Sequence, residues 1–156
     1  MGVSGCGKSL IGQTLATAMG LRFIDGDSLH PPANIAKMRR GEPLTDADRA
    51  PWLDSVGDTV RADGTVVACS ALKRAYRDQI RARAGAPVTF LYLRGQRATL
   101  LARMSTRPGH FMPPALLDSQ LATLEPPAPD EAHLTADIEA APAAIVTLFR
   151  TGLEKP

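Results

Sequence analysis

Hydrophobic and polar positions along the chain form blocks that predict helices and short apolar strands in alternation. Residues 8–19 place Ile11, Leu15 and Met19 at helical spacing, and Gly20 ends this block. Apolar runs rich in β-branched or aromatic residues predict strands over 21–25, 65–70, 88–93 and 134–138. Further helices are predicted over 31–40, 45–62 with Thr45 as N-cap, 73–84, 96–106, 114–124 and 142–151. This alternation predicts an α/β fold with a parallel sheet flanked by helices on both faces.

Composition narrows the class of protein. The 156 residues fit one domain, 1–156, and 44% hydrophobic with 22% charged residues is ordinary for a globular protein. No apolar run approaches the roughly 18 residues that span a bilayer, so we expect no membrane segment. A net charge of +2 is too small to indicate a nucleic-acid partner. Two widely spaced cysteines and no signal-peptide pattern predict a reducing cytoplasm.

The strongest motif lies at the start of the chain and satisfies G-x-x-x-x-G-K-[ST]. It comprises Gly2, Val3, Ser4, Gly5, Cys6, Gly7, Lys8 and Ser9. Its glycines let backbone N–H groups surround phosphate oxygens, and the following helix adds its positive dipole end. We expect Lys8 to reach the β- and γ-phosphates of ATP and the Ser9 hydroxyl to ligate Mg²⁺. The motif predicts nucleotide binding without specifying a reaction.

An acidic pair follows the strand predicted over 21–25. Asp25 and Asp27 flank Gly26, at the edge of the sheet where parallel α/β folds bind ligands. One carboxylate, Asp25, can face the metal, while Asp27 can orient an acceptor hydroxyl and take its proton. The alternative is a turn with solvated carboxylates. The neighbouring phosphate loop favours the functional interpretation.

Together these residues resemble the gluconate kinase (gluconokinase) family. Beyond the phosphate loop, the similar blocks are 25–31, 34–38, 41–53, 69–78, 103–112 and 119–126, in order and at family-like spacing. The resemblance implies a three-layer, adenylate-kinase-like phosphate-loop kinase fold with a lid at about 103–125 and a substrate-side helical segment at about 30–62. It also implies ATP-dependent phosphorylation of D-gluconate to 6-phosphogluconate, and it makes a homodimer an expectation.

Gluconate is an open-chain polyol with a carboxylate, so its site needs cations and polar groups. The candidate cations are Arg49, Lys73 and Arg77, and the candidate hydroxyl partners are Asp27, His30 and Tyr76. Arg49 and Arg77 could instead be surface charges, and His30 could merely shape the loop before Pro31. For Trp52 the main expectation is core packing, with a share in the pocket wall.

Two arginines in the lid segment are candidates for the transfer step. Arg103 and Arg107 are four residues apart and share one helix face, where they could stabilise charge on the γ-phosphate. The alternative is a solvated arginine face. Pro108 and Gly109 then end the helix and favour a movable lid.

Other functions remain open at this point. A shikimate-kinase-like enzyme shares the phosphate loop and the aspartate pair, and a nucleoside monophosphate kinase is a weaker alternative. A nucleotide-binding protein without kinase activity is also possible, because only Met1 precedes Gly2. A phosphate loop normally follows a buried strand of about 5–6 residues. We therefore expect the first central strand to lie upstream, and its absence to open an apolar slot in the sheet.

Overall fold

The computed structural model describes residues 1–40, 42–62, 64–105 and 114–155, and the predicted alternation of helices and strands is confirmed. The strands are β1 (Arg22–Asp25), β2 (Thr65–Ala68), β3 (Phe90–Arg94) and β4 (His133–Asp137). The helices are α1 (Lys8–Met19), a 3₁₀ helix (Gly26–Leu29), α2 (Pro32–Arg39), α3 (Asp46–Val60), α4 (Arg74–Ala84), α5 (Arg97–Ser105), α6 (Pro114–Thr123) and α7 (Pro142–Leu153). None of the described helices is long and apolar enough to cross a bilayer.

Local signals explain where the main helices begin and end. Gly7 and Gly20 bound α1 in left-handed conformations, with Leu15 fully buried between them. Thr45 caps α3 through a capping box, in which its side chain accepts from the Asp48 N–H and the Asp48 carboxylate accepts from the Thr45 N–H. These caps fix the helices that carry the candidate site.

The strands pair in parallel, as predicted. β1 pairs with β2 from Arg22↔Thr65 to Asp25↔Ala68, and β3 pairs with β4 from Phe90↔His133 to Arg94↔Asp137. On one side α1 packs against α7, and on the other α3 packs against α4 and β2. Two apolar clusters fill these layers, one around Leu15, Leu100 and Phe149 and the other around Trp52, Leu53 and Ile80.

Met1 and Gly2 connect the two strand pairs. The Met1 amino group donates to Leu91 O, and Met1 O accepts from Leu93 N at 3.0 Å, which is the pattern of a parallel bridge. On the other side, Gly2 N donates to Ser70 O at 3.1 Å. The phosphate loop is thus tied between the ends of β2 and β3.

Beyond Met1, a cavity of about 380 Å³ separates β2 from β3. Its walls are the strand segments 65–69 and 87–91 together with apolar side chains from α1, α3, α4 and α7, including Ile11, Leu15, Val56 and Phe149. A largely apolar cavity thus lies between these two strands of the sheet.

Candidate active site at the phosphate loop

The phosphate loop runs from the sheet into α1. Gly7, at the N-cap, has φ 91° and ψ 22°, and no side chain caps the first turn, so its N–H groups are available to a ligand. A Cβ at Gly7 would meet nothing within 4 Å, so glycine is required there for its backbone conformation and not for lack of space. Val3 and Cys6 are buried beneath the loop. The Cys6 thiol therefore faces the core, and its contribution to a ligand is limited to its backbone.

Lys8 folds back over this loop. Its Nζ donates to Val3 O at 2.9 Å, and this bond holds the ammonium group at the edge of the phosphate loop. On the opposite side, Ser4 N donates to Gln120 Oε1 at 2.7 Å, so α6 is tied directly to the loop. The sequence analysis did not single out Gln120, although it lies in the similar block at 119–126.

Ser9 and Asp25, the two predicted metal ligands, are hydrogen-bonded to each other. Ser9 Oγ donates to Asp25 Oδ2 at 2.8 Å, and Asp25 Oδ1 accepts from Asp27 N at 3.1 Å. Among the described residues no group of three or more His, Cys, Asp or Glu side chains is arranged for a metal ion. Mg²⁺ commonly takes one or two protein oxygens and fills its shell with water and substrate phosphates, so a hydroxyl with a carboxylate is a suitable donor set.

Asp27 lies two residues after Asp25, in the 3₁₀ helix. Its side chain is exposed, whereas Gly26 is buried. A Cβ at Gly26 would come within 2.5 Å of Ala68 O, so the close approach of β1 and β2 requires glycine between the two aspartates. The sharp turn directs the two carboxylates differently, Asp25 toward Ser9 and Asp27 toward solvent.

Two buried side chains, Trp52 and Asn34, hold the His30 ring in place. Its ring stacks on Trp52 with centroids 4.5 Å apart, and Trp52 Nε1 donates to Gly26 O at 2.7 Å. Asn34, which is 4% exposed, donates to Asp48 O at 2.7 Å and lies 3.4 Å from His30 Nδ1. Burial lowers the pKa of His30, and the charges of Asp27 and Arg49 act on it in opposite directions. Trp52 and Asn34 therefore hold the His30 ring beside the acidic turn.

The structure brings three predicted substrate residues together. Arg49 and Lys73 lie over the Tyr76 ring, with Cζ 5.8 Å and Nζ 5.3 Å from its centroid. All three converge on Asp46, whose Oδ2 lies 2.8 Å from Lys73 Nζ. Hydrogen bonds from Lys73 and then Tyr76 hold the pKa of Asp46 below its ordinary value. Asp46 was not among the predicted site residues, because an acid in the first turn of a helix is typical of helix stabilisation by itself.

Arg77 requires a correction, because the structure does not offer it to a substrate. Its side chain is 0% exposed and forms a bidentate ion pair with Glu131, at 2.7 and 2.8 Å. The remaining nitrogen, Nη1, donates to the carbonyl oxygens of Ala71, Leu72 and Glu125. All of its donors are thus used inside the protein, and the segment 125–131 is fixed to the start of α4. No local signal in the sequence pairs Arg77 with a residue 54 positions away.

Of the two predicted lid arginines, Arg103 lies in the last turn of α5. Arg103 Nη2 donates to Ile138 O at 2.7 Å, which connects the end of α5 to the loop after β4. Arg107, Pro108 and Gly109 lie outside the described residues.

Comparisons with known proteins agree with this fold. The family model described as shikimate kinase matches residues 4–141. A gluconokinase of Gluconobacter oxydans (strain 621H) is 48% identical over 151 residues, covering 94% of this chain and 84% of the relative. The thermosensitive gluconokinase of Escherichia coli (strain K12) is 50% identical over 137 residues, covering 84% of this chain and 72% of the relative. The crystal structure of a gluconokinase from Sinorhizobium meliloti 1021 superposes with a TM-score of 0.90 at 48% identity, covering 98% and 88% of the two chains.

The fold, the phosphate loop and these matches define the class of protein: a phosphate-loop phosphotransferase of the shikimate kinase family, acting on an alcohol group. Within that class the chain belongs to the gluconokinases.

Proposed function

We propose that this protein transfers the γ-phosphoryl group of ATP to D-gluconate and forms 6-phosphogluconate. One observation carries the proposal: a continuous series of contacts leads from the phosphate loop to a cluster of cations. Ser9 bonds to Asp25, and Trp52 joins Gly26 O to the His30 ring. Arg49, on the same helix as Trp52, shares the Tyr76 ring with Lys73. A linear sugar acid lying along this series would have its terminal hydroxyl near Asp27 and its carboxylate near Arg49 and Lys73.

Each residue near the phosphate loop has a role in this proposal. The loop N–H groups and Lys8 bind the phosphates, and Ser9 with Asp25 would hold Mg²⁺. When bound, the metal would neutralise negative charge on the ATP phosphates. Asp27 orients the terminal hydroxyl and accepts its proton as the hydroxyl oxygen attacks the γ-phosphorus and ADP leaves.

Further residues bind the acceptor or stabilise the transferred group. His30 and Tyr76 would bind substrate hydroxyls, and Arg49 and Lys73 the carboxylate. Arg103 and Arg107 would belong to a lid that stabilises negative charge on the transferred group. A homodimer remains a prediction that light scattering would test. We also place the protein in the cytoplasm, and its buried free thiols, Cys6 and Cys69, agree with a reducing compartment.

The test is ADP release measured with one acceptor at a time: D-gluconate, other sugar acids, shikimate and AMP. We expect turnover with gluconate and little with shikimate or AMP. Turnover with shikimate and none with gluconate would refute the proposal. ATP binding without any acceptor-dependent ADP release would instead indicate a nucleotide-binding protein without kinase activity.

The same assay tests whether Asp27 acts as the general base. Asp27→Asn should lose most turnover while ATP binding survives, because the amide cannot accept the proton. Asp78→Asn is the matched control, since Asp78 is an exposed carboxylate on α4 that pairs with Arg81 outside this site. Unchanged turnover in Asp27→Asn would refute the assigned role.

A further inference from the structure

The cluster of Asp46, Arg49, Lys73 and Tyr76 has the arrangement of a carboxylate-binding site, with a carboxylate of the protein already in it. Asp46 accepts from Lys73 Nζ through both oxygens, at 2.8 and 3.1 Å, and from the Tyr76 hydroxyl. Arg49 Nη1 lies 3.8 Å from Asp46 Oδ1 and itself donates to Leu44 O. Two donors from the start of α4 and one guanidinium from the start of α3 thus surround one side chain. Such convergence is how proteins bind a carboxylate.

Asp46 is not needed to begin its own helix. The capping box of α3 consists of Thr45 and Asp48, and Asp48 is in turn bonded to Lys37 at 2.8 Å. The Asp46 side chain is 64% exposed, so its carboxylate can rotate into water at small cost, without movement of the helix. By contrast Tyr76, which is 6% exposed, is fixed in the core. The Asp46 carboxylate is therefore the movable member of the cluster, and Tyr76 is the fixed one.

We propose that the Asp46 side chain occupies the position of the substrate carboxylate and is displaced when a sugar acid binds. This inference rests on the proposed function and adds to it a mechanism by which the site selects charged over neutral substrates. While the site is empty of substrate, Asp46 keeps Arg49 and Lys73 together despite their mutual repulsion. A sugar acid replaces Asp46 and restores the pairing of both cations. A neutral polyol cannot replace it, because it brings no charge to exchange.

Asp46→Asn tests the proposal, with Asp58→Asn as the matched control. Asp58 lies on the same helix, is 45% exposed, and pairs with Arg83 and Arg61 outside the cluster. In Asp46→Asn the substrate no longer competes with an internal carboxylate. We expect the KM for gluconate to fall roughly two- to fivefold, which corresponds to the loss of one exposed ion pair. The KM for ATP should stay the same, and Asp58→Asn should leave both values unchanged.

Calorimetric titration with D-gluconate and with its neutral analogue D-glucitol supplies a readout independent of turnover. Gluconate should bind Asp46→Asn more tightly than the natural protein, while glucitol should not gain affinity. A raised or unchanged gluconate KM in Asp46→Asn would overturn the proposal, because Asp46 would then position the cations or do nothing. If the natural protein shows no turnover with gluconate, the proposed function fails by itself. The titration then tests this inference separately. The inference is overturned if the natural protein and Asp46→Asn bind gluconate with equal affinity, or if neither binds it.

Discussion

The imidazole of His30 lies parallel to the indole of Trp52, with centroids 4.5 Å apart and an interplanar angle of 8°. The same indole donates its N–H to Gly26 O, between Asp25 at the end of β1 and Asp27. One side chain of α3 therefore positions both the acidic turn and the histidine.

Trp52→Phe should separate these two contributions. Phenylalanine keeps an aromatic face for His30 but leaves the Gly26 carbonyl without its donor, at a cost of about 1–3 kcal/mol in the free energy of unfolding. We expect a raised KM for gluconate and an unchanged KM for ATP. Urea unfolding followed by circular dichroism, together with steady-state kinetics, measures both. Phe149→Leu is a control in the other apolar cluster, where it should lower stability without changing the gluconate KM.

The buried pair Arg77–Glu131 predicts an acid-dependent loss of stability. Its hydrogen bonds with Arg77 lower the pKa of Glu131 from 4.5 to about 2. Because the folded-state pKa is depressed, this stabilisation is complete above pH 4.5 and is lost as the pH falls from 4.5 toward 2. The shift means that this pair contributes on the order of 3 kcal/mol to the free energy of unfolding at neutral pH.

Glu131→Gln should remove this pH dependence and lower the stability at pH 7, since it leaves the Arg77 charge buried without its partner. Unfolding curves recorded at several pH values test this expectation. Arg77→Lys should also lower stability but leave the gluconate KM unchanged in the folded protein. A raised gluconate KM with unaltered stability would restore Arg77 as a substrate ligand.

Gly7→Ala should impair ATP binding through the backbone alone. The left-handed conformation at φ 91° costs a residue with a Cβ about 1–2 kcal/mol, although the Cβ itself would meet no atom. Gly85, at the end of α4, has φ 61° and equally open space, so Gly85→Ala carries a similar strain. We expect both variants to lose stability, but only Gly7→Ala to weaken ATP binding in a calorimetric titration. Equal ATP affinities in the two variants would contradict this.

The cavity between β2 and β3 predicts that an added strand stabilises the protein. A Val/Ile-rich segment of about 5–6 residues fused ahead of Met1 can continue the bridge that Met1 forms with β3. Each buried Val or Ile contributes about 1.5–3 kcal/mol. Every kcal/mol raises the melting temperature by about 2–4 °C in a domain of this size. A Gly/Ser segment of equal length is the control. Equal melting temperatures for the two fusions would refute the prediction.

Much of the fold follows from local patterns. α1 has its predicted bounds, and α3 begins after Thr45 because the capping box involves residues only three apart. Periodicity and capping act within one turn of chain, so a single sequence contains the whole signal. The phosphate loop is local in the same sense, since one octapeptide contains both the glycines and Lys8.

The sequence by itself therefore determined the element order, the parallel pairing, the phosphate loop and the resemblance to gluconokinases. The tertiary structure alone decided what each charged side chain does. Arg77 and Lys73 are near neighbours with similar charge, yet packing buries one against Glu131 and directs the other to Asp46. The same holds for Trp52 and His30, which lie 22 positions apart along the chain (52 minus 30) and stack face to face. Such pairings depend on how separate elements pack, and no periodicity along the chain encodes them.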